Sequence, residues 1–332
     1  MTWLVWRQHR NQAYLAAAGL AAFAALFLVT GAQMSSQYQS ALRSCAASHS
    51  CGSVLSTLNL GSPVLSLLIN LTLLVPGLLG AFWGGPLVAR ELETGTSQFA
   101  WMQSITRRRW LSVKVGWALL AAAAGAGAIS AIVTWWSGPM NALQHGRFLP
   151  GQFDVQGIAP VGYALFAVTL GITAGALLRR TVPALATTIG VYAALRIVIA
   201  EYLRPHYLTA LRVTYPLSFS RQAPSLPGSY LLISRGVAGP GGHAPSSQAA
   251  FGAGVDINGI RISNLPSACQ AVIGQGPARL FRCLNADGYR AFFTYQPASR
   301  FWTFQGIETG IFVILAAALI GVTAIVVLRR DA

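Results

Sequence analysis

"APVGYALFAVTLGITAGALLRRTVPALATTIGVYAALRIVIA", residues 159–200, consists of two apolar runs that the pair Arg179 and Arg180 separates. An α-helix needs about 20 apolar residues to cross the hydrocarbon layer of a bilayer, and each run has about that length. Four more windows of the chain are as long and as apolar. We therefore predict six membrane spans, at approximately 13–32, 63–88, 110–136, 157–178, 182–203 and 306–328.

The composition of the whole chain agrees with a membrane protein. Of its 332 residues, 54% are apolar and 9% are charged, whereas soluble proteins have about 25% charged residues. The net charge of +15 would suit a nucleic-acid-binding protein, but the basic residues are spread among apolar runs rather than gathered on one polar domain. We predict an all-α integral membrane fold whose surroundings are membrane lipids, and no nucleic-acid partner.

The distribution of arginine and lysine predicts the orientation of the spans, because short cytoplasmic loops are enriched in both. With the N-terminus inside, the two short outer loops hold Arg43 and Arg147, while the segment 204–305 holds nine arginines but is too long for the rule to apply. Eleven basic residues then lie on the inner side: Arg7, Arg10, Arg90, Arg107, Arg108, Arg109, Lys114, Arg179, Arg180, Arg329 and Arg330.

This topology divides the chain into three parts. We expect spans one to five in residues 1–203, an extracellular domain in residues 204–305, and span six with a cytoplasmic tail in residues 306–332. Both termini are then cytoplasmic.

All four cysteines fall in predicted outer segments, Cys45 and Cys51 in the first and Cys269 and Cys283 in the large one. Disulfides form in oxidising compartments, so this placement favours bonding outside the cytoplasm. Four cysteines allow three pairings. The local pairs Cys45–Cys51 and Cys269–Cys283 need the least rearrangement of the chain and are the ones we expect; the alternative is four unrelated small apolar residues.

Two stretches have the composition of membrane-interface anchors. In "TWLVWRQHR", residues 2–10, the side chains of Trp3, Trp6 and Arg7 suit a short helix in the headgroup region, with the rings inward and the guanidinium groups toward phosphates. The stretch "RRRW", residues 107–110, anchors the inner start of span three through three arginines: Arg107, Arg108 and Arg109.

Pairs of glycines four residues apart occur in three of the predicted spans. Such pairs let two helices approach closely within a membrane, so we expect them to serve bundle packing or dimerisation. They are Gly80 and Gly84, Gly171 and Gly175, and Gly306 and Gly310.

The chain lacks the motifs of the common catalytic and metal sites. Its five histidines are scattered singly, without the spacing of metal ligands. Lys114 is the only lysine, and its context "LSVKV" lacks the glycines with which a Walker A loop holds phosphates. We therefore expect no metal site and no ATPase site in this chain, and no enzymatic activity of its own.

Ion-driven transport would require ionisable residues at membrane depth. The candidates are Arg196, Glu201 and Glu308, of which the two glutamates fall near the outer face. We favour a structural pairing of Arg196 with a carboxylate or with helix-end carbonyls; the alternative is a proton or sodium relay.

The polar insert "ARELETGTSQFAWMQSITRRRW", residues 89–110, predicts a helix end, a sharp turn at a glycine, and a short amphipathic helix parallel to the membrane. Thr106 is placed to cap span three. A solvated loop would explain the arginines of the insert. It does not explain Phe99, Trp101 and Met102, whose apolar side chains in a cytoplasmic loop need lipid or a partner surface.

Extended to "ARELETGTSQFAWMQSITRRRWLSVK", residues 89–114, the insert resembles the segment between spans two and three of type-2 ABC transporter permeases. The shared pattern is an acidic pair, Gly-Thr, a short apolar helix, a Ser or Thr, and basic residues leading to a Lys. In that family this segment, about 89–106 here, is the coupling helix that docks on the ATP-binding subunit. The resemblance carries that role to eight residues: Glu91, Glu93, Gly95, Thr96, Phe99, Trp101, Met102 and Gln103.

Three more stretches resemble actinobacterial permeases of this kind: "WRQHR" (6–10), "FDVQGIAPVGYALFAVTLG" (153–171) and "YQPASRFWTFQGIETGIF" (295–312). The resemblance implies the permease subunit of an ABC exporter in a bacterial cytoplasmic membrane. It also implies a second copy of this chain and two copies of an ATPase subunit, which would bind ATP and Mg. The outer segment is longer here than the short re-entrant helices of simpler members.

The apolar spans suit an amphiphilic substrate such as a drug, a peptide or a lipid. Two other functions stay open at this point. One is an ion-coupled secondary transporter, and the other is a membrane-anchored sensor with an extracellular ligand-binding domain.

Overall fold

The computed structural model describes residues 2–48, 63–94, 106–143, 146–149, 151–217, 230–240, 255–257, 260–262, 267–272 and 275–329. The chain divides into two compact units, one of Met1–Arg204 with Phe301–Ala332 and the other of Pro205–Arg300. Among the described residues, six helices are long and apolar enough to cross a membrane, which confirms the predicted helical membrane fold. These helices are Ala18–Ala46, Ser66–Glu93, Arg108–Trp136, Ala159–Leu178, Thr181–His206 and Ala298–Leu328.

The first unit is built from helices. Span one is α1 (Thr2–Ser48); span two is α2 (Pro63–Leu79), a π-helical turn (Gly80–Gly84) and α3 (Gly85–Glu93); span three is α4 (Arg107–Trp136). Three short helical segments follow, α5 (Gly138–Leu143), a 3-10 turn (Gly146–Phe148) and α6 (Gln152–Val155). Span four is α7 (Ala159–Leu178), span five is α8 (Thr181–Val198) with a π-helical turn (Ile199–Leu203) and a 3-10 turn (Arg204–His206), and span six is α11 (Phe301–Arg329).

Helix α1 differs from the sequence prediction at both ends. It runs without a break through residues 2–10, so the predicted interfacial helix is not a separate element. The helix also continues past the predicted end of span one at residue 32 and reaches Ser48, since no proline interrupts the polar stretch that follows residue 32. The side chains of residues 2–13, including Trp3, Trp6 and Arg7, lie outside the described part of the chain.

Span four forms the centre of the first unit. Most of its side chains are buried, and it packs against spans two, three, five and six. Span one packs mainly on span three. Span four ends at Arg179, whose left-handed backbone (φ 52°) closes the helix, and span five begins two residues later at Thr181. The two arginines that separate the apolar runs thus form the whole connection.

Glycines allow spans two and four to cross with their backbones in contact. A Cβ atom at Gly84 would lie 2.6 Å from the carbonyl oxygen of Val168, and one at Gly175 would lie 2.6 Å from that of Gly85. The expected packing role is therefore confirmed for the glycine pairs of these two spans. In span six, by contrast, no atom of another element in the described part of the chain lies within 4 Å of a Cβ built at Gly306 or Gly310.

The second unit contains a three-stranded antiparallel sheet in the order β1–β5–β2. The strands are β1 (Leu211–Tyr215), β2 (Leu231–Ala238) and β5 (Arg290–Gln296). A separate hairpin pairs β3 (Val255–Ile257) with β4 (Ile260–Ile262). Two helices precede β5, α9 (Ser267–Gln270) and α10 (Pro277–Ala286).

Helix α10 covers part of the sheet. Its Leu280 and Leu284 pack with Val237 and Ala291 of the sheet in one apolar core. The disulfide Cys269–Cys283 joins α9 to α10 and confirms the predicted pairing of these two cysteines. For the other predicted pair, Cys45 is buried, and Cys51 lies outside the described residues.

Candidate functional site

The end of span two holds the two acidic residues that the sequence assigns to the predicted coupling segment. Glu91 forms an ion pair with the ammonium group of Lys114 in span three. Lys114 is 6% exposed, and its ammonium nitrogen also lies 4.7 Å from the centroid of the Trp110 ring. The only lysine of the chain therefore joins spans two and three.

Glu93 joins span two to the first residue of span five. Its Oε2 atom accepts two hydrogen bonds from Thr181, from the backbone N–H at 3.1 Å and from the hydroxyl group at 2.8 Å. The first N–H groups of a helix have no partner within the helix, and Arg180 at the N-cap position supplies no side-chain bond. The carboxylate of Glu93, at an exposed position in span two, accepts the hydrogen bond of one of these N–H groups.

The rest of the predicted coupling segment lies mostly outside the described residues. Gly95, Thr96, Phe99, Trp101, Met102 and Gln103 all fall in the undescribed stretch 95–105. At its far side, Thr106 accepts a hydrogen bond from the backbone N–H of Arg109 at 3.4 Å and caps span three as predicted. Arg108 and Arg109 are exposed, and only the backbone of Arg107 is described.

At the far end of span five, four charged side chains form a buried ion cluster of Asp154, Arg196, Arg204 and Glu308. Glu308 is fully buried, and it accepts hydrogen bonds from Arg196 Nη1 at 3.0 Å and from Arg204 through Nε at 2.9 Å and Nη2 at 2.7 Å. Asp154 Oδ1 lies 3.0 Å from Arg196 Nη2 and 2.5 Å from Arg204 Nη2. Two carboxylates and two guanidinium groups thus balance in charge.

Aromatic rings complete the surroundings of this buried ion cluster. The guanidinium of Arg196 lies 3.8 Å from the centroid of the Tyr163 ring, and that of Arg204 lies 4.3 Å from the centroid of the Phe153 ring. The hydroxyl of Tyr163 donates to Glu308 Oε1 at 2.6 Å. Ring faces attract cations most strongly where water is excluded, so the rings stabilise the charges that burial would otherwise penalise.

Asp154 lies on α6, outside the membrane-spanning helices. The pKa of its carboxyl group depends on burial and on the two arginines of the cluster. Burial raises the pKa of the Asp154 carboxyl, but attraction to Arg196 and Arg204 outweighs burial, so the pKa lies below its usual value. Asp154 is therefore ionised at neutral pH, and the cluster holds its two acids as carboxylates bound to arginine.

A second polar contact fixes the start of span four beside this cluster. The side-chain oxygen of Gln305 in span six accepts hydrogen bonds from the backbone N–H groups of Ile158 at 3.1 Å and Ala159 at 2.7 Å. Its amide nitrogen donates to the carbonyl oxygen of Phe153 at 2.9 Å. Since a Cβ at Gly157 would lie 2.9 Å from this amide, glycine at that position permits the contact.

Two of the three predicted intramembrane charges meet in the structure. It brings Arg196 and Glu308 together, whereas Glu201 is exposed and does not join them. Sequence reasoning missed Asp154 and Arg204. Asp154 could have been noticed, because the chain has only eight acidic residues and this one lies shortly before a span. Arg204 fell one residue beyond the predicted end of span five, which the structure extends to His206.

A narrow recess adjoins the cluster. It is lined by Asp154, Tyr163 and Arg196 on one side and by apolar residues of spans two and three on the other, among them Leu73, Pro76 and Ile129. Within the described residues there is no group of three or more His, Cys, Asp and Glu side chains that could hold a metal ion.

Part of the chain matches a known protein family. Residues 17–204, more than half of the chain, match the family described as ABC-2 membrane transporter related. No curated protein and no solved structure matches the chain. With six helices that can cross a membrane and a family match over spans one to five, the chain is a multi-pass membrane protein that belongs to the family of type-2 ABC transporter permeases.

Proposed function

We propose that this chain is the membrane-spanning subunit of an ABC exporter and works as two copies with two copies of an ABC ATPase subunit. The ATPase subunits bind ATP and Mg and hydrolyse the nucleotide. The permease moves an amphiphilic substrate, such as a drug, a peptide or a lipid, across a bacterial cytoplasmic membrane. Residues 204–305 are then extracellular, and both termini are cytoplasmic.

The observation that carries this proposal is the pair of contacts made by Glu91 and Glu93. Both acids lie at the start of the segment that the family resemblance assigns to ATPase docking. Through Lys114 and Thr181 they link the start of that segment to spans three and five. A displacement of the segment, caused by closure of the ATPase pair, therefore acts on three spans at once as a rigid-body shift.

The buried ion cluster supports the transmission of this movement along span five. Thr181 and Arg196 are 15 residues apart, which is about 22 Å along a helix. The cluster joins the far end of span five to span six and to α6 through charged hydrogen bonds. A shift applied at Thr181 thus reaches the opposite end of the span, where it is carried to span six.

The balanced charges of the cluster argue against the ion-coupled secondary transporter. A proton relay needs a carboxyl group that takes up and releases protons near the working pH. The arginines hold the pKa of Asp154 below its usual value, and Glu308 accepts three hydrogen bonds from guanidinium groups. Vanadate-sensitive transport would support the ABC exporter. Transport that ignores vanadate but is abolished by Glu201→Gln would support the rival.

The proposal is tested by co-purification of the full chain with a candidate ABC ATPase subunit. Phe99→Asp places a charge on the predicted docking surface, and Glu91→Arg breaks the pair with Lys114. We expect both variants to reduce the amount of ATPase subunit recovered, or its substrate-stimulated turnover, relative to Glu201→Gln as the control. Unchanged recovery and unchanged transport in both variants would overturn the proposal.

The membrane-anchored sensor makes a different prediction. It requires that the full chain bind a ligand through residues 204–305 with no movement of substrate across the membrane. Screening of amphiphiles for stimulation of the ATPase subunit in proteoliposomes separates the two, because a sensor without an ATPase partner gives no such stimulation.

A further inference from the structure

The two arginines of the buried ion cluster lie eight residues apart in span five. Arg196 is in α8, and Arg204 is the first residue of the 3-10 turn that ends the span. Both guanidinium groups bind the same two oxygen atoms, because each donates to Glu308 Oε1 and lies within 3.0 Å of Asp154 Oδ1. The two side chains therefore reach these oxygens from the same side of span five.

A regular α-helix would not place the two arginines on the same side. With 3.6 residues in each turn, one residue advances about 100° around the helix axis, so eight residues advance about 800°. This rotation is about 80° more than two full turns. In an uninterrupted α-helix, Arg204 would therefore point about 80° away from the direction of Arg196 and would lie about 12 Å further along the axis.

The π-helical turn Ile199–Leu203 removes most of this offset. It is closed by a hydrogen bond from the backbone N–H of Arg204 to the carbonyl oxygen of Ile199, five residues back instead of the four of an α-helix. The turn thus holds one extra residue, and eight residues of span five advance as far as seven do in an α-helix, about 700° and about 10.5 Å. Arg204 then lies about 20° from the direction of Arg196.

The exposed side chains of this turn give no reason for the extra residue. Glu201, Tyr202 and Leu203 are all exposed, and Tyr202 is 70% exposed. Arg204, which follows them, is by contrast 5% exposed. π-helical turns are rare and are often found at functional sites. The residue whose place depends on this turn is therefore Arg204.

We propose that the π-helical turn Ile199–Leu203 is the positioning element of the buried ion cluster. Its one extra residue places Arg204 on the side of span five that carries Arg196. Both arginines can then bind Glu308 and Asp154, whereas the loss of one guanidinium would leave a buried carboxylate without its charge partner. This role needs neither an ATPase subunit nor a transported substrate.

Two matched changes in the length of the turn test this role. The deletion variant lacks Glu201, and the insertion variant carries an added alanine between Glu201 and Tyr202. Glu201→Ala is the control for loss of the exposed acidic side chain. In a regular α-helix the deletion and the insertion would each turn Arg204 by about 100°, in opposite directions, and would do equal harm. With a π-helical turn, the deletion removes only the extra residue and leaves Arg204 in place.

The midpoint of denaturant unfolding is measured for the full chain in bilayer discs, with and without Arg204→Gln in each background. This substitution reports whether Arg204 still belongs to the cluster. We expect Arg204→Gln to lower the midpoint by a similar amount in the parent chain, in Glu201→Ala and in the deletion variant. In the insertion variant the midpoint should already be lowered, and the further effect of Arg204→Gln should be several-fold smaller.

A rescue separates positioning from general damage to the helix. In the insertion variant the eighth residue after Arg196 is Leu203. The exchange of Leu203→Arg with Arg204→Leu therefore returns a guanidinium group to the place that Arg204 has lost, and we expect it to raise the midpoint toward that of the parent chain.

Three outcomes overturn the proposal: a deletion as harmful as the insertion, an undiminished effect of Arg204→Gln in the insertion variant, or a failed rescue. If the insertion variant does not fold, the deletion variant decides alone. It has to keep both the midpoint of Glu201→Ala and the full effect of Arg204→Gln, and the loss of either contradicts the role of the turn.

Discussion

The two ends of span five carry polar contacts of opposite character. At its start, Glu93 bonds to Thr181 at the surface. At its far end, Arg196 and Arg204 meet Asp154 and Glu308 in a buried cluster with aromatic walls. Exposed charged contacts contribute little to stability because water and salt compete for them. Buried ones become essential once formed, because removing one partner leaves an uncompensated charge.

The exposed contact can therefore act as a hinge, whereas the buried cluster holds its helices in a fixed arrangement. A contact that water can replace opens and closes with little change in free energy, which suits the end of span five that would receive movement from the ATPase. A cluster that is mostly shielded from solvent keeps its members together, which suits the end that would carry the movement onward to span six. Stability measurements should therefore respond strongly at the buried end, and coupling measurements at the exposed end.

Glu308→Ala gives the largest expected effect, because it leaves two buried guanidinium groups with one carboxylate between them. We expect the free energy of unfolding to fall by about 3–5 kcal/mol, measured by denaturant titration in bilayer discs. The control is Glu201→Ala, which removes an exposed acid near the end of span five. It should change the free energy of unfolding by less than about 0.5 kcal/mol. Equal effects of the two variants would contradict the contrast between the buried and exposed charges.

Asp154→Asn should have a smaller effect of about 2 kcal/mol, since Glu308 still binds both arginines. The pKa of Asp154 is lowered in the folded chain. Its stabilisation is therefore fully present above the unfolded value of about 3.9 and is lost as the pH falls through the folded pKa.

The difference in unfolding free energy between the parent chain and Asp154→Asn should accordingly be the same at neutral and mildly acidic pH, and narrow only in strong acid. Asp287→Asn, at an exposed position of the second unit, serves as the control. A difference that already shrinks between neutral and mildly acidic pH would show that Asp154 takes up a proton there, as a relay would require.

Lys114→Met tests the contact of intermediate burial. Lys114 is 6% exposed, but its partner Glu91 is 19% exposed and can regain water when the lysine is lost. We expect a loss of about 1–2 kcal/mol. A double-mutant cycle with Glu91→Gln isolates the pair, because the second substitution should then add little to the first. Fully additive losses would show that the two side chains act independently.

The fold could be predicted further than the site. Each span is a local property, since about 20 apolar residues in succession identify it without knowledge of its neighbours. The glycine pairs Gly80 and Gly84, and Gly171 and Gly175, predicted close packing of helices, but not that spans two and four would be the partners. The full length of helix α1 was not predicted, because polar residues such as those after position 32 are common both in loops and in exposed helices.

The buried ion cluster could be predicted only in part, because it depends on contacts between distant parts of the chain. Its four members come from α6, helix α8 of span five, the 3-10 turn that ends span five, and span six. Nothing local in the sequence pairs Asp154 with Arg204, which are 50 residues apart, or Arg196 with Glu308, which are 112 residues apart. Arg196 was recognisable because a charge within an apolar run needs a partner, but the partner itself is fixed by tertiary packing.

Glu93→Ala gives the smallest expected change in stability and the most informative change in function. Glu93 is exposed, so we expect no measurable change in the unfolding midpoint. If its bond to Thr181 carries movement to span five, substrate-stimulated ATPase activity of the assembled transporter should fall while ATPase recovery stays the same. Thr181→Val then tells whether the bond between the spans or the carboxylate itself is needed, because it removes the hydroxyl donor and keeps the charge of Glu93. Loss of stimulation in both variants identifies the bond between the spans as the coupling element. Loss in Glu93→Ala alone, with reduced ATPase recovery, would mean instead that the carboxylate contacts the ATPase directly, and the exposed end of span five would then be a docking surface rather than a hinge.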